Sequence, residues 1–206
     1  MRDFTVLQLR DPSEWLRLRK RFITSTDAPV ILQASPWKGP AQLWAEKLNC
    51  WKKPRVTELM QQGIDLESWI LAKVPEQFPD LPPLKPAKDF YLSNRFHNFA
   101  CSLDAWAQEE RTIVEIKTAS KHIYWKMDGK LEVPIYYKIQ VNFQMLVTGF
   151  SKAYVVVFFR DTKELHCLEV RSDPVLQDNI ISGCKNFWAC MKSRTPPMPD
   201  HYRTSP

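Results

Sequence analysis

"SLDAWAQEERTIVEIK", residues 102–117, decides the fold. It reads as two short strands joined by a polar turn. Successive side chains of a strand point to opposite faces. In 98–105, Phe99, Cys101, Leu103 and Ala105 share one face, and Asn98, Ala100, Ser102 and Asp104 share the other. In 111–117, Thr112, Val114 and Ile116 stand opposite Ile113, Glu115 and Lys117. A turn over Ala107 to Glu110 has a length that hairpins tolerate. It sets Leu103 against Val114, Cys101 against Ile116 and Ser102 against Glu115. The apolar faces then coincide, and so do the polar ones. Asp104 and Glu115 become diagonal neighbours, about 7–8 Å apart at the backbone. Two carboxylates so placed, with Lys117 beside them, can grip a divalent cation.

Outward from this hairpin the elements alternate in kind. "DPSEWLRLRKRF" predicts a helix with Asp11 as N-cap and Pro12 at the first helical position. "TDAPVILQ" predicts a short helix capped by Thr26 or Asp27, and "GPAQLWAEKLN" another. "TELMQQGIDLESWILAKV" is longer and amphipathic. "PEQFPDLPPLKPAK" holds five prolines and is expected to be a loop. Strands follow near 89–94, 98–105 and 111–117. "SKHIYWKM" reads as a short helix, and Pro134 opens "IYYKIQVNFQMLVT". "KAYVVVFFR" and "ELHCLEV" form a second hairpin, and 173–192 a closing helix. The proline-rich tail, 193–206, is expected to be extended or mobile. There is no internal repeat. The order predicts one α/β domain over 1–206, with a mixed central sheet flanked by helices.

Composition bounds the partners. The 206 residues suffice for one sizeable core, and 44% are hydrophobic. No apolar run is long enough to cross a bilayer. "MRDFTVLQLR" lacks the apolar stretch of a signal peptide, so a cytoplasmic location is expected. Five cysteines with no CxxC pair argue against a disulfide framework or a zinc site; they are expected reduced and mostly buried. Twenty-nine Lys and Arg against 23 Asp and Glu, with pI near 9.1, suit a polyanionic partner but are also common in proteins that bind none. "RLRKR", 17–21, concentrates that charge, and equally reads as a solvated helix end.

Glu67 is the next clue. Gly63, Leu66, Ile70 and Val74 recur at helical spacing, and Glu67 falls at the margin of that stripe. A carboxylate there needs a positive partner, either a Lys or Arg or a shared cation. Three converging carboxylates suit magnesium, which prefers oxygen ligands and keeps several waters. Only four histidines are present, which disfavours zinc. Lys117 is either a counter-ion to these carboxylates or catalytic; its position on a central strand favours catalysis. Trp37 and Trp51, beside "KGP" and "KK", are the tryptophans best placed to stack on bases.

Glu67, Asp104, "EIK" at 115–117 and the glutamine helix together resemble the PD-(D/E)XK (restriction-endonuclease-like) nuclease core. "WLRLRKRFITSTDAPVIL", "GIDLE", "SLDAW", "VEIK" and "YYKIQVNFQMLVTG" follow in the order of the lambda-exonuclease family of viral recombinases, also called YqaJ-like. The resemblance covers roughly residues 13–160. It implies a magnesium-dependent 5′-to-3′ exonuclease, with manganese able to substitute, acting on double-stranded DNA ends. The product is a 3′ single strand for recombination by a phage annealing protein.

By that resemblance Asp104, Glu115 and the Ile116 carbonyl ligate metal, and Glu67 completes the site directly or through water. Lys117 activates the attacking water, and Gln140 positions Lys117 or the DNA. Arg19, Thr26 and Ser102 hold the 5′-terminal phosphate: a guanidinium fork and two hydroxyls around an anion. Met60 stands where the family offers a wedge between base pairs, or else packs in the core. A ring-shaped homotrimer in a phage or prophage setting is also implied. The chain departs from the family pattern in Leu103 and Ala105, where proline and glycine usually flank the aspartate, and in Thr26, where a relative has serine. The alternatives are a Cas4-like or RecB-like enzyme with a four-cysteine cluster, and a basic DNA-binding module without catalysis.

Overall fold

The computed structural model describes residues 3–9, 11–50, 57–87, 89–107 and 110–197; of residues 12, 59, 60, 123 and 124 it describes the backbone alone. Its centre is a five-stranded mixed sheet. "KAYVVVFF" is apolar on both faces, which marks a strand covered on both sides. It forms β10 (Lys152–Phe159). β10 runs parallel to β7 (Thr112–Ala119), with Lys152 opposite Thr112, and antiparallel to β11 (Glu164–Arg171). β6 (Ala105–Ala107) and β3 (Lys85–Pro86) complete the order β11-β10-β7-β6-β3. A second sheet, β1-β4-β5-β2, holds β1 (Phe4–Leu7), β2 (Ile23–Thr24), β4 (Phe90–Ser93) and β5 (Phe99–Ser102). β8 (Lys126–Met127) and β9 (Lys130–Leu131) form a small ribbon after a 3₁₀ helix at His122–Trp125, within the stretch expected to be a short helix.

Helices cover both faces of the central sheet. Val114, Ile116, Val156 and Phe158 pack with Ile70 and Val74 of α4 (Glu58–Gln77). Ile113, Val155, Val157 and Phe159 belong to the larger core on the other face. That core includes Ile139, Phe143 and Met145 of α5 (Ile135–Thr148) and Ile180, Cys184 and Phe187 of α6 (Pro174–Ser193). α1 (Pro12–Arg21), α2 (Ala28–Ile31) and α3 (Pro40–Lys47) complete the set. Asp11 caps α1 as expected, accepting from the N–H groups of Ser13 and Glu14.

The hairpin differs from its expectation in an instructive way. β5 pairs with β4 and β2 in the second sheet, and does not pair with β7. Ala105, rather than Leu103, stands opposite Val114, so the register moves by two residues and the faces keep their parity. The cause is Asp104. Its side chain accepts from the Ile116 N–H at 2.7 Å, a group the strand ladder would otherwise use, and its carbonyl accepts from Ala87. The chain therefore changes sheets at Asp104. Residues 108 and 109 of the expected turn lie outside the described residues.

Two helix ends also differ. α4 runs through Pro75 to Gln77; Pro75 forfeits only its own bond to the preceding turn, and the Phe78 N–H still bonds the Val74 carbonyl. Asp27 precedes α2 but does not cap it; its carboxylate turns back to the N–H and hydroxyl of Thr24.

Candidate active site

Odd-numbered residues of β7 face α5, and this places Glu115 and Lys117 against that helix's polar residues. A buried polar group needs a partner. Glu115, 4% exposed, has three. Its Oε1 accepts from Lys117 Nζ and from Gln140 Nε2 at 2.5 Å; its Oε2 accepts from Gln144 Nε2 at 2.6 Å. Gln144 also donates to the Ser102 carbonyl at 3.2 Å, tying β5 to β7 across the gap between the sheets. A carboxylate has about four acceptor positions, so three N–H donors leave room for one more ligand. Gln140 thus holds Glu115, where its expected partner was Lys117 or DNA. Lys117 lies 4.9 Å from the centre of the Tyr137 ring.

Asp104 lies beside this group. Burial raises its pKa well above the ordinary aspartate value, and the charges of Glu115 and Glu67 raise it further; Lys117 and the Ile116 N–H oppose them. Lys117 shows the mirror image. Burial alone would lower its pKa, but Glu115 and Asp104 push it above the usual lysine value, and it is an ammonium.

A cavity of about 130 Å³ opens on these residues, lined by Trp15, Arg19, Thr24, Ser25, Thr26, Phe90, Ser102, Asp104, Glu115 and Gln140. At ~30 Å³ per water it has room for about four. Six of the residues singled out in the sequence meet there: Arg19, Thr26, Ser102, Asp104, Glu115 and Gln140. Arg19 Nη2 donates to Thr26 Oγ1 at 2.6 Å, and its guanidinium lies over the Trp15 ring at 4.5 Å. Trp15 Nε1 donates to Ser102 Oγ at 2.8 Å. One end of the cavity is therefore cationic and hydroxylic, and the other is acidic.

Glu67 lies on α4. Among the described residues no three Asp, Glu, His or Cys side chains gather closely enough to hold a metal ion. Glu67 is exposed, and α4 covers the face of β7 opposite to Glu115. Gly63, one turn earlier, sits so close that a Cβ there would lie 3.3 Å from Thr118 Oγ1. The charge of Glu67 reaches Asp104 and helps to raise its pKa. The donor set is two carboxylates with the Ile116 backbone beside them. That set fits a hard, oxygen-seeking ion that keeps several waters, and fits zinc poorly.

Met60's side chain and all of Trp51 lie outside the described residues. Trp37 is 69% exposed and meets Tyr136 edge-on at 5.1 Å. All five cysteines are free; Cys101 and Cys184 are buried, Cys167 and Cys190 half-buried, and Cys50 exposed. Trp15, Thr24 and Gln144 were not anticipated. Two of them had a signal: Trp15 precedes Arg19, and Gln144 follows Gln140, by one helical turn of four residues.

A mixed sheet with helices on both faces, an aspartate at the sheet change and Glu-X-Lys on β7 define the PD-(D/E)XK (restriction-endonuclease-like) fold. An alkaline exonuclease from Laribacter hongkongensis superposes with a TM-score of 0.70 at 19% identity, covering 89% of this chain and 94% of that one; its complex with dAMP gives 0.71. A phage-related exonuclease from Haemophilus somnus gives 0.63 at 11% identity, over 84% and 96% of the two chains. Residues 14–151 match the YqaJ-like viral recombinase domain, and the chain belongs to that family. The uncharacterized protein YqaJ of Bacillus subtilis is 28% identical over 179 residues, which are 85% of this chain and 54% of the relative. The chain thus spans about half the length of the curated relative it matches. No described helix is long and apolar enough to cross a membrane.

Proposed function

We propose that this protein is a magnesium-dependent exonuclease that degrades one strand of duplex DNA from its 5′ end. The observation that carries the reading is the single cavity that joins Arg19, Thr26 and Ser102 to Asp104 and Glu115. A 5′-terminal phosphate matches the cationic end, through charge-assisted bonds from Arg19 and hydroxyl donation from Thr26 and Ser102. The next phosphodiester then falls toward the acidic end. A site that recognises the terminus and the adjacent linkage together removes nucleotides one at a time.

Asp104 and Glu115, with the Ile116 carbonyl, would hold the metal, and Glu67 would contribute through water. A bound divalent cation supplies Lewis acidity and a water of lowered pKa. Gln140 and Gln144 keep the Glu115 carboxylate in one orientation. Lys117, held as an ammonium, donates to the attacking water or to the phosphate oxygen that gains charge; orienting the water suits its charge better than removing a proton from it. Trp15 stacks on Arg19 and bonds Ser102, fixing the phosphate end.

Family membership extends the proposal to a ring-shaped homotrimer that passes its 3′ single strand to an annealing protein. Incubation of the protein with end-labelled linear duplex, with magnesium or with chelator, tests the core of it. Loss of label from the 5′ end only when magnesium is present supports the reading. Digestion from the 3′ end, or none, overturns it.

A further inference from the structure

Behind the phosphate end of the cavity lies a buried ion pair that the reaction does not use. Lys47 Nζ stands 2.7 Å from Asp27 Oδ2, and the two side chains are 5% and 6% exposed. Taking two charges out of water is costly, and well-packed apolar residues often serve stability equally well. The arrangement of the bonds suggests what the pair is for. An ammonium has three donors. Those of Lys47 go to Asp27, to the Arg19 carbonyl at 2.8 Å and to the Phe22 carbonyl at 2.8 Å. Asp27 Oδ2 accepts in turn from the Thr24 N–H and hydroxyl, each at 2.8 Å.

These bonds fix two segments from behind. One is the last turn of α1, which carries Arg19. The other is the Thr24–Asp27 turn, which carries Thr26. Arg19 and Thr26 meet in front, on the cavity. The Thr24 and Thr26 hydroxyls lie 3.3 Å apart, so the chain of contacts from Lys47 to the cavity wall is continuous.

We infer that Lys47 and Asp27 are positioning residues for the 5′-phosphate site: they set the Arg19–Thr26 geometry that distinguishes a phosphorylated from a hydroxyl terminus. The inference rests on the reading of the cavity given above. Burial would raise the pKa of Asp27, but Lys47 and Arg19 hold it below the usual aspartate value, so its carboxylate stays charged.

The test is binding without cleavage. Affinity for short duplexes ending in a 5′ phosphate or a 5′ hydroxyl is measured by fluorescence anisotropy in chelator. The proteins are the wild type, Arg19→Ala, Asp27→Asn and Lys47→Met/Asp27→Asn, with melting temperatures recorded for each. The double variant removes both charges and leaves none buried alone; Asp27→Asn keeps the side-chain shape should the double variant not fold. The wild type is expected to prefer the phosphorylated end, and the double variant to lose about tenfold of that preference, one charge-assisted bond's worth, as Arg19→Ala does. Asp27→Asn is expected to lose at least about threefold. A lowered melting temperature with the preference intact makes the pair merely structural and overturns the inference alone. A wild type without preference overturns the phosphate-site reading, and the inference with it.

Discussion

Asp104 accepts a hydrogen bond from the backbone N–H of Ile116, and so occupies the ladder position between Glu115 and Lys117. That bond ends the pairing of the hairpin, moves the chain from one sheet to the other and sets a carboxylate beside Glu115. Fold and site therefore share one cause.

The first prediction concerns Asp104. Its pKa is raised in the native state, so folding binds that proton more tightly than the unfolded chain does. The resulting stabilisation is fully present below the ordinary aspartate value and is lost as pH rises through the raised one. Asp104→Asn keeps an acceptor for Ile116 and removes the charge. In chelator near pH 8 the variant should melt above the wild type, by about 2–4 °C for each kcal/mol relieved. The gap should close as the pH falls below the ordinary aspartate value. Magnesium should raise the wild-type melting temperature only, and digestion by the variant should fall at least about a hundredfold. Thermal melts across pH, with and without magnesium, check each part.

Glu115→Gln should have the opposite effect on stability. Three N–H donors converge on Glu115, and a carboxamide offers them an NH₂ group in place of one oxygen. One donor is left facing another, at about 1–3 kcal/mol. Urea unfolding in chelator should show this variant less stable than the wild type while Asp104→Asn is more stable. Equal behaviour of the two would mean that Glu115 is not the hub of this network.

The sequence made some of this legible and hid the rest for physical reasons. Strand alternation identified Asp104, Glu115 and Lys117, since a period of two survives a register shift of two. The shift itself was hidden: only a side chain competing with the ladder produces it, and pattern reading assumes backbone pairing. β1 and β2 were missed because two to four residues carry no period and their partners lie far along the chain, Phe4 against Ser93 and Ile23 against Phe99. Arg19, Thr26 and Ser102 came from family likeness, and only folding brings them onto one cavity. Lys47 and Asp27 look like ordinary helix and turn residues; nothing in the sequence marks their charges as buried.

Gln144 should matter more to rate than to stability. Gln144→Leu removes the donors to Glu115 Oε2 and to the Ser102 carbonyl, but it also removes a buried oxygen, Oε1, that meets no donor among the described residues. These effects partly cancel, for a net loss of about 1 kcal/mol. The freed Glu115 oxygen changes the acidic end of the cavity, so the turnover number on phosphorylated duplex should fall about tenfold or more while the KM for DNA changes little. A proportional rise in KM would place Gln144 in DNA binding.

Glu67 separates a ligand that acts through charge from one that holds the metal directly. It is exposed on α4, and its charge helps to raise the pKa of Asp104. Glu67→Gln should leave the unfolding free energy within about 0.5 kcal/mol of the wild type, as surface changes generally do. Removing one negative charge weakens attraction for a divalent cation, so half-maximal digestion should need severalfold more magnesium, with the maximal rate largely kept. The same change relieves Asp104, whose pKa falls toward its ordinary value, and the acid limb of the activity profile should move to lower pH. Titrations of rate against magnesium and against pH read the two effects separately. A collapse of the maximal rate at saturating magnesium, with no shift in either midpoint, would instead make the Glu67 carboxylate a direct ligand, drawn in around the edge of β7 when the ion binds.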